Sequence, residues 1–280
     1  MGTISGKGDS TMIRFPEQLF SDVRTEDVFS TALTYVDGAW EVNRVRREKG
    51  ALLRVYDGKM WYYAVTTDLD QIQEELDGLL PLVDDSRVEL DGTSLTLPDG
   101  AELDLGAVAK GYTGQHLARL IREVGVTSAL LDLGGNIQTV GCRPDGDPWR
   151  VAVRDPEGEG YAAVLEVEDE AVVTSGGYER YFEQDGVRYW HILDPATGQP
   201  ARTGLLSVTV VGPSGTVCDA LSTALFVMGQ ERAADYWLAR EDFDFLLLHE
   251  DGSVTCSEGL EGRLTLSGDW ADREIEVVRR

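Results

Sequence analysis

The chain has 280 residues, with 25 Lys and Arg against 50 Asp and Glu, a formal net charge of −25. That length suits one large domain or two small ones, and a hydrophobic fraction of 42% excludes disorder as the overall state. The charge argues against nucleic acid and anionic lipid as partners, because both would repel it. No run of 18 apolar residues is present, so no membrane span is expected. The opening residues MGTISGKGDSTMIRF lack the apolar stretch of a signal peptide. Cys142, Cys218 and Cys256 are widely spaced with no CxxC pair, which suggests neither a disulfide framework nor a zinc knuckle.

In chain order, residues from about 13 to 80 read as strands followed by one helix. ALLRVYDG and MWYYAVTT are apolar, aromatic and β-branched, with YDGK as the turn between them. LDQIQEELDGLL sets Leu69, Ile72, Leu76, Leu79 and Leu80 on a helical stripe that Asp68 can cap. Pro81 and the acidic VDDSR form a seam. VELDG and TSLTLPDG then read as a short hairpin. KGYTGQHLARLIREVG predicts an amphipathic helix with Leu117, Leu120, Ile121 and Val124 as its apolar stripe, stopped by Gly125. VTSALLDLGG reads as a buried strand running into a paired-glycine turn. WRVAVRDP, YAAVLEVED, AVVTSGG, ERYFEQDG, VRYWHILDP and LLSVTVVGPSG are further strands. TVCDALSTALFVMG and QERAADYWLAR are two helices, and FDFLLLH, SVTCS, GRLTLSG and EIEVVRR close the chain as strands.

Four stretches could carry chemistry. In LDLGAVAKGYTG a helix begins near Lys110, where unpaired N–H groups and the helix dipole favour an anion; the alternative is a tight turn with Lys110 in solvent. In LLDLGGNIQTVG, Gly134 and Gly135 permit either close backbone approach to a ligand or an ordinary turn. In TSGGYERYF and YWHILDPATGQP, Ser175, Arg180 and His191 are polar groups among strand residues. His191 is either a structural hydrogen-bonder or a general base, and DPATG is a turn of its own. In CDALSTA, Asp219 and Thr223 are i, i+4 neighbours whose hard oxygens suit Mg²⁺, or else a capping and surface pair. No HExxH, GxSxG or paired CxxC supports a zinc peptidase or a serine hydrolase. His116 and His249 are assigned no role.

Taken in order, LDLGAVAKGY, LLDLGGNI, DGDPWRVAVRDP, VVTSGGYERYF, HILDPATGQP and SVTVVGPSGTVCDALSTALFVMG resemble the ApbE family of FAD:protein FMN transferases, over about residues 86 to 250. The resemblance implies an α+β fold of T-fold-related mixed sheets with packed helices. It divides the chain into a small N-terminal α+β segment at 1–82 and an ApbE-like domain at 83–280. The segment from about 13 to 80, strongest over RVYDG to WYYAVTTDLD, resembles the N-terminal domain of the TldD/PmbA family without that family's zinc-binding helix. The ApbE flavin-contacting segment of the type FDxTVGPL is not found.

The implied chemistry is phosphoryl transfer. FAD binds with Mg²⁺ on its pyrophosphate, and a threonine or serine hydroxyl of an acceptor protein attacks the phosphorus on the FMN side. AMP leaves. Some members instead hydrolyse FAD to FMN and AMP, and a non-catalytic FAD-binding or interaction protein is a third reading. The resemblance implies Asp219, Thr223 and the Ala107 carbonyl as metal ligands and His191 as general base. It implies Asp104, Lys110 and Ile192 as FAD contacts, with Ser175 and Arg180 lining the site. Many family members carry a lipoprotein signal; for the chain as given a cytoplasmic location is expected, or an extracytoplasmic one if such a signal has been removed.

Overall fold

The computed structural model describes residues 13–16, 19–36, 39–56, 61–79, 87–100, 105–178, 180–184, 187–194 and 200–280. Two compact units divide the chain: Met1–Leu103 with Pro195–Gly198, and Asp104–Asp194 with Gln199–Arg280.

In the first unit, β1 (Phe20–Val36) and β2 (Ala39–Tyr56) form a long antiparallel hairpin, and β3 (Trp61–Thr66) pairs with β2 from Ala51↔Thr66 to Tyr56↔Trp61. The strand period shows in β2, where Ala51, Leu53 and Val55 are buried and the residues between them only partly so. Helix α1 (Ile72–Leu79) closes this core by burying Ile72, Leu76 and Leu79, one face of the predicted stripe. Asp68 accepts the Asp70 N–H at 3.0 Å in the 3₁₀ turn that leads into α1. Leu80 lies outside the described residues. The expected short hairpin is present as β4 (Glu89–Asp91) and β5 (Ser94–Thr96).

The second unit begins with α2 (Ala109–Glu123), β6 (Ala129–Asp132), β7 (Asn136–Val140), β8 (Trp149–Arg154), β9 (Tyr161–Val167) and β10 (Ala171–Gly176). It continues with β11 (Tyr181–Gln184), β12 (Val187–Trp190), β13 (Leu205–Gly212), α3 (Gly215–Leu238), β14 (Asp244–His249), β15 (Val254–Ser257), β16 (Leu264–Leu266) and β17 (Ile275–Val278). A seven-stranded sheet runs in the order β17-β15-β14-β13-β10-β7-β6, antiparallel except for the parallel β15–β17 pair. Its centre is covered on both faces. On one face Val173, Val208, Val210, Phe245 and Leu247 pack against Cys218, Leu225, Phe226 and Trp237 of α3. On the other, Val172, Val211, Leu246 and Leu248 pack against Val151, Val153 and Leu165 of the three-stranded β16-β9-β8 sheet. This double coverage explains why LLSVTVVG in β13 is nearly continuously apolar rather than alternating. The result is the α+β arrangement of mixed sheets and packed helices expected from the sequence.

Two local expectations are corrected. The segment over β6 is a strand, but it is the sheet's edge and half-exposed, not buried. Helix α2 forms and ends as predicted at Gly125, whose φ is +91°, with Val126 N–H donating back to the Ile121 carbonyl. Its buried face, however, is Gly111, Gly114 and Ala118; Leu120 is 41% and Val124 80% exposed. The buried face is the one that packs on α3 and β7, and at Gly111 there is no room even for a Cβ. The two predicted helices after β13 are the two limbs of α3, bent at Gly229, which takes φ 76° and ψ 173°. Thr203 donates its hydroxyl to the Phe226 carbonyl at that bend, at 2.9 Å. No helix among the described residues is long and apolar enough to cross a membrane.

Candidate active site

The first turns of α2 and α3 meet at two glycines. A Cβ on Gly111 would lie 2.1 Å from the Gly215 carbonyl oxygen and 2.6 Å from the Asp219 Cβ; one on Gly215 would lie 2.7 Å from the Gly111 carbonyl oxygen. Only hydrogen fits between the two backbones. Gln115 of α2 fastens the crossing: its Oε1 accepts from the Ser214 hydroxyl, the Thr216 N–H and the Thr216 hydroxyl, at 3.0 to 3.1 Å. Ser214 in turn caps α3 by accepting the Val217 N–H at 3.3 Å.

Asp219 stands at this crossing, 5% exposed. It is not the cap of its own helix. Its Oδ2 accepts the Gly111 N–H of α2 at 2.8 Å, across 108 residues of sequence. Gly111 is the third residue of α2, so its N–H is one of those a helix start leaves without a partner in its own helix, and Asp219 supplies one. Burial pushes the Asp219 carboxyl above its ordinary range, while the Gly111 N–H, the Lys110 charge, the Asn136 amide and the Lys110 N–H pull the other way. Lys110 itself is exposed, so its cationic head faces solvent beside the carboxylate. Asn136, 2% exposed on β7, lies near enough to bias Asp219, yet its Nδ2 has no hydrogen-bond partner in good geometry among the described residues.

One turn along α3, Thr223 shares the Asp219 face. Its Oγ1 is 3.1 Å from the Ser175 Oγ of β10, which is also 2.8 Å from the Ser222 Oγ. The structure therefore gathers Lys110, Asp219, Thr223 and Ser175 at one place. Among the described residues no cluster of three or more His, Cys, Asp or Glu side chains could hold a metal. An ion here would be held by a carboxylate, hydroxyls and a main-chain carbonyl, an all-oxygen set that fits Mg²⁺ and not zinc. The neighbouring Cys218 thiol is pushed up to about 12 by burial and offers no thiolate.

A second group lies at the end of β12. His191 is exposed, just past the strand, with Nδ1 3.4 Å from the Arg180 carbonyl oxygen. A carbonyl only accepts, so in this contact Nδ1 is the donor, and the neutral ring then has Nε2 as its acceptor nitrogen. Ile192 is buried in the main core, and its carbonyl accepts the Ala201 N–H at 3.0 Å. The neighbouring Trp190 meets Phe226 of α3 edge-on at 6.4 Å, so this group rests on the same helix as Asp219. Arg202 stacks over Trp190 at 4.8 Å. Asp104 and the DPATG turn from Pro195 onward lie outside the described residues. Gly134 and Gly135 take φ of 67° and 86°, and the Gly135 N–H goes to Asp132: in these contacts, a turn.

The model of the ApbE family matches residues 48–247. The chain belongs to the ApbE family. The match begins well before residue 86, where the sequence motifs begin, and so includes part of the first unit. Over 176 residues the chain is 44% identical to a FAD:protein FMN transferase of Treponema pallidum, covering 59% of this chain and 48% of that protein. The crystal structure of the ApbE protein from Thermotoga maritima superposes with a TM-score of 0.59 at 34% identity, covering 68% of this chain and 63% of that one. The apo flavinyl transferase ApbE of Pseudomonas stutzeri gives 0.54 at 32% identity, covering 68% and 60%. The chain thus spans about half the length of the curated relative it matches at 44% identity. Within this ApbE chain, Gly111, Gly215, Gln115, Ser222 and Asn136 belong to the site but had no role from the sequence. Gly111, Asn136, Gly215 and Ser222 sit in the quoted motifs, and that was the one signal available for them; Gln115 carries none, because its partners lie about a hundred residues away.

Proposed function

We propose that this chain is a Mg²⁺-dependent FAD:protein FMN transferase, moving FMN from FAD to a threonine or serine hydroxyl of an acceptor protein. The observation that carries this reading is the buried Asp219 carboxylate held by the first turn of a second helix, with the Lys110 charge and the Thr223 hydroxyl on the same side. The relatives' names agree with it.

In this reading Asp219, Thr223 and the Ala107 carbonyl hold the ion, which when bound neutralises charge on the FAD diphosphate. Lys110 adds a positive charge at the same helix start and attracts the diphosphate to it. Asp104 and the Ile192 backbone position the nucleotide, and Arg180 and Ser175 line the site. The acceptor oxygen forms a bond to the FMN-side phosphorus, the bond from that phosphorus to the bridging oxygen breaks, and AMP leaves with the electron pair. His191 takes the hydroxyl proton at Nε2, the nitrogen left free by the Arg180 carbonyl.

The test is incubation with FAD, Mg²⁺ and an acceptor domain bearing a flavinylation threonine. A mass increase of one FMN on the acceptor, with AMP released, is expected. Asp219→Asn keeps the Gly111 hydrogen bond but removes the charge, and should abolish the adduct. His191→Asn should slow transfer by about 10²- to 10⁴-fold. AMP release without an acceptor would instead identify a FAD pyrophosphatase, and neither adduct nor AMP would reject the enzyme.

A further inference from the structure

The three hydroxyls between β10 and α3 form a chain of contacts whose direction is set when Ser222 donates to the Asp219 carbonyl. Ser222 Oγ is 2.9 Å from the Asp219 carbonyl oxygen, which can only accept, so the one Ser222 proton goes there. Ser175 Oγ, 2.8 Å from Ser222 Oγ, must then be the donor in that pair. Its proton being spent, Ser175 can only accept from Thr223 at 3.1 Å. The chain of donation runs Thr223 to Ser175 to Ser222 to the Asp219 carbonyl. A hydroxyl free to turn would present its proton to a cation part of the time; in this direction of donation the Thr223 proton is turned into β10 instead.

We infer that Ser175 and Ser222 are positioning residues that hold the Thr223 hydroxyl with only lone pairs facing the Asp219 carboxylate side, making it a cation ligand before any cation arrives. This rests on the Asp219 cluster being the metal site. Ser222 is wholly buried and Thr223 half-buried, so water does not readily replace either partner. Ser222 thereby links both ligands: it accepts in the chain that ends from Thr223, and it bonds the main chain of Asp219.

The readout is ion binding by the full-length protein without flavin or acceptor. Mn²⁺ is titrated by loss of the free-ion electron spin resonance signal, with Mg²⁺ as competitor. Ser222→Ala and Ser175→Ala are each expected to weaken Mn²⁺ and Mg²⁺ binding by about 10- to 100-fold, the range for groups that orient a metal ligand. Ser175→Thr restores a hydroxyl and should restore binding. Ser207→Ala is the control: Ser207 Oγ is buried with no hydrogen-bond partner among the described residues, so its loss should leave binding at the parent value. Parent-like binding in both alanine variants overturns the inference while keeping the metal site. Equal weakening in Ser207→Ala also overturns it, since buried serines in general would then matter. A parent protein that binds no Mn²⁺ or Mg²⁺ removes the metal site itself, and this inference with it.

Discussion

At the scale of single residues, position in the fold sets protonation as much as chemical type does. His249 ends β14 almost fully buried, with Nε2 3.0 Å from the Thr255 hydroxyl. Burial lowers its pKa below the ordinary histidine value of 6.5, and Asp251 and Glu276 offset only part of that. The folded protein therefore binds the proton less readily than the unfolded chain. The stability that follows is present above about pH 6.5 and is lost as pH falls below it. Urea midpoints at pH 7.5 and 5.5 should differ more for the parent than for His249→Gln; equal differences would show that His249 is not the group responsible. Asp219 had been legible as a hard-oxygen donor from CDALSTA, but not as the acceptor of an N–H from another helix. The i, i+4 spacing displays Thr223 beside it, whereas Gly111 lies too far along the chain for any local pattern to point there.

At the scale of elements, periodicity and turn residues carried most of the information. Strand and helix positions after residue 86 follow Gly, Pro and Asp breaks, and the Gly229 bend separates the two helices where the sequence separates them. The face that α2 buries was misjudged, because hydrophobicity marks what can be buried and close backbone approach marks what must be small. Gly111, Gly114 and Ala118 are chosen by space. Substitutions on the two faces should therefore invert the usual expectation. Leu120→Ser and Val124→Ser should change unfolding free energy by no more than about 0.5 kcal/mol, as at exposed sites. Ala118→Leu, which overfills a closed interface, should cost about 1–3 kcal/mol. Chemical denaturation measures both, and a larger cost for the exposed pair would mean that something covers them.

At the scale of the whole molecule, the excess of acidic over basic residues is a term in stability as well as in solubility. With 50 acidic and 25 basic side chains, like-charge repulsion opposes the compact state. Added salt shortens the range of that repulsion. Raising NaCl from low to moderate concentration should lift the thermal midpoint by roughly 2–4 °C, equivalent to about 1 kcal/mol for a chain of this size. A flat or falling midpoint would show that ion pairs such as Arg263 with Glu170 and Asp244 outweigh the net charge. The contact between the Gly111 amide and Asp219 has a different consequence, one of timing. Its two halves are made 108 residues apart during synthesis. A nascent polypeptide that has finished α2 still has a bare helix start, and the carboxylate that completes it does not yet exist. Assembly of the helix crossing is thus deferred until the later helix has emerged and docked.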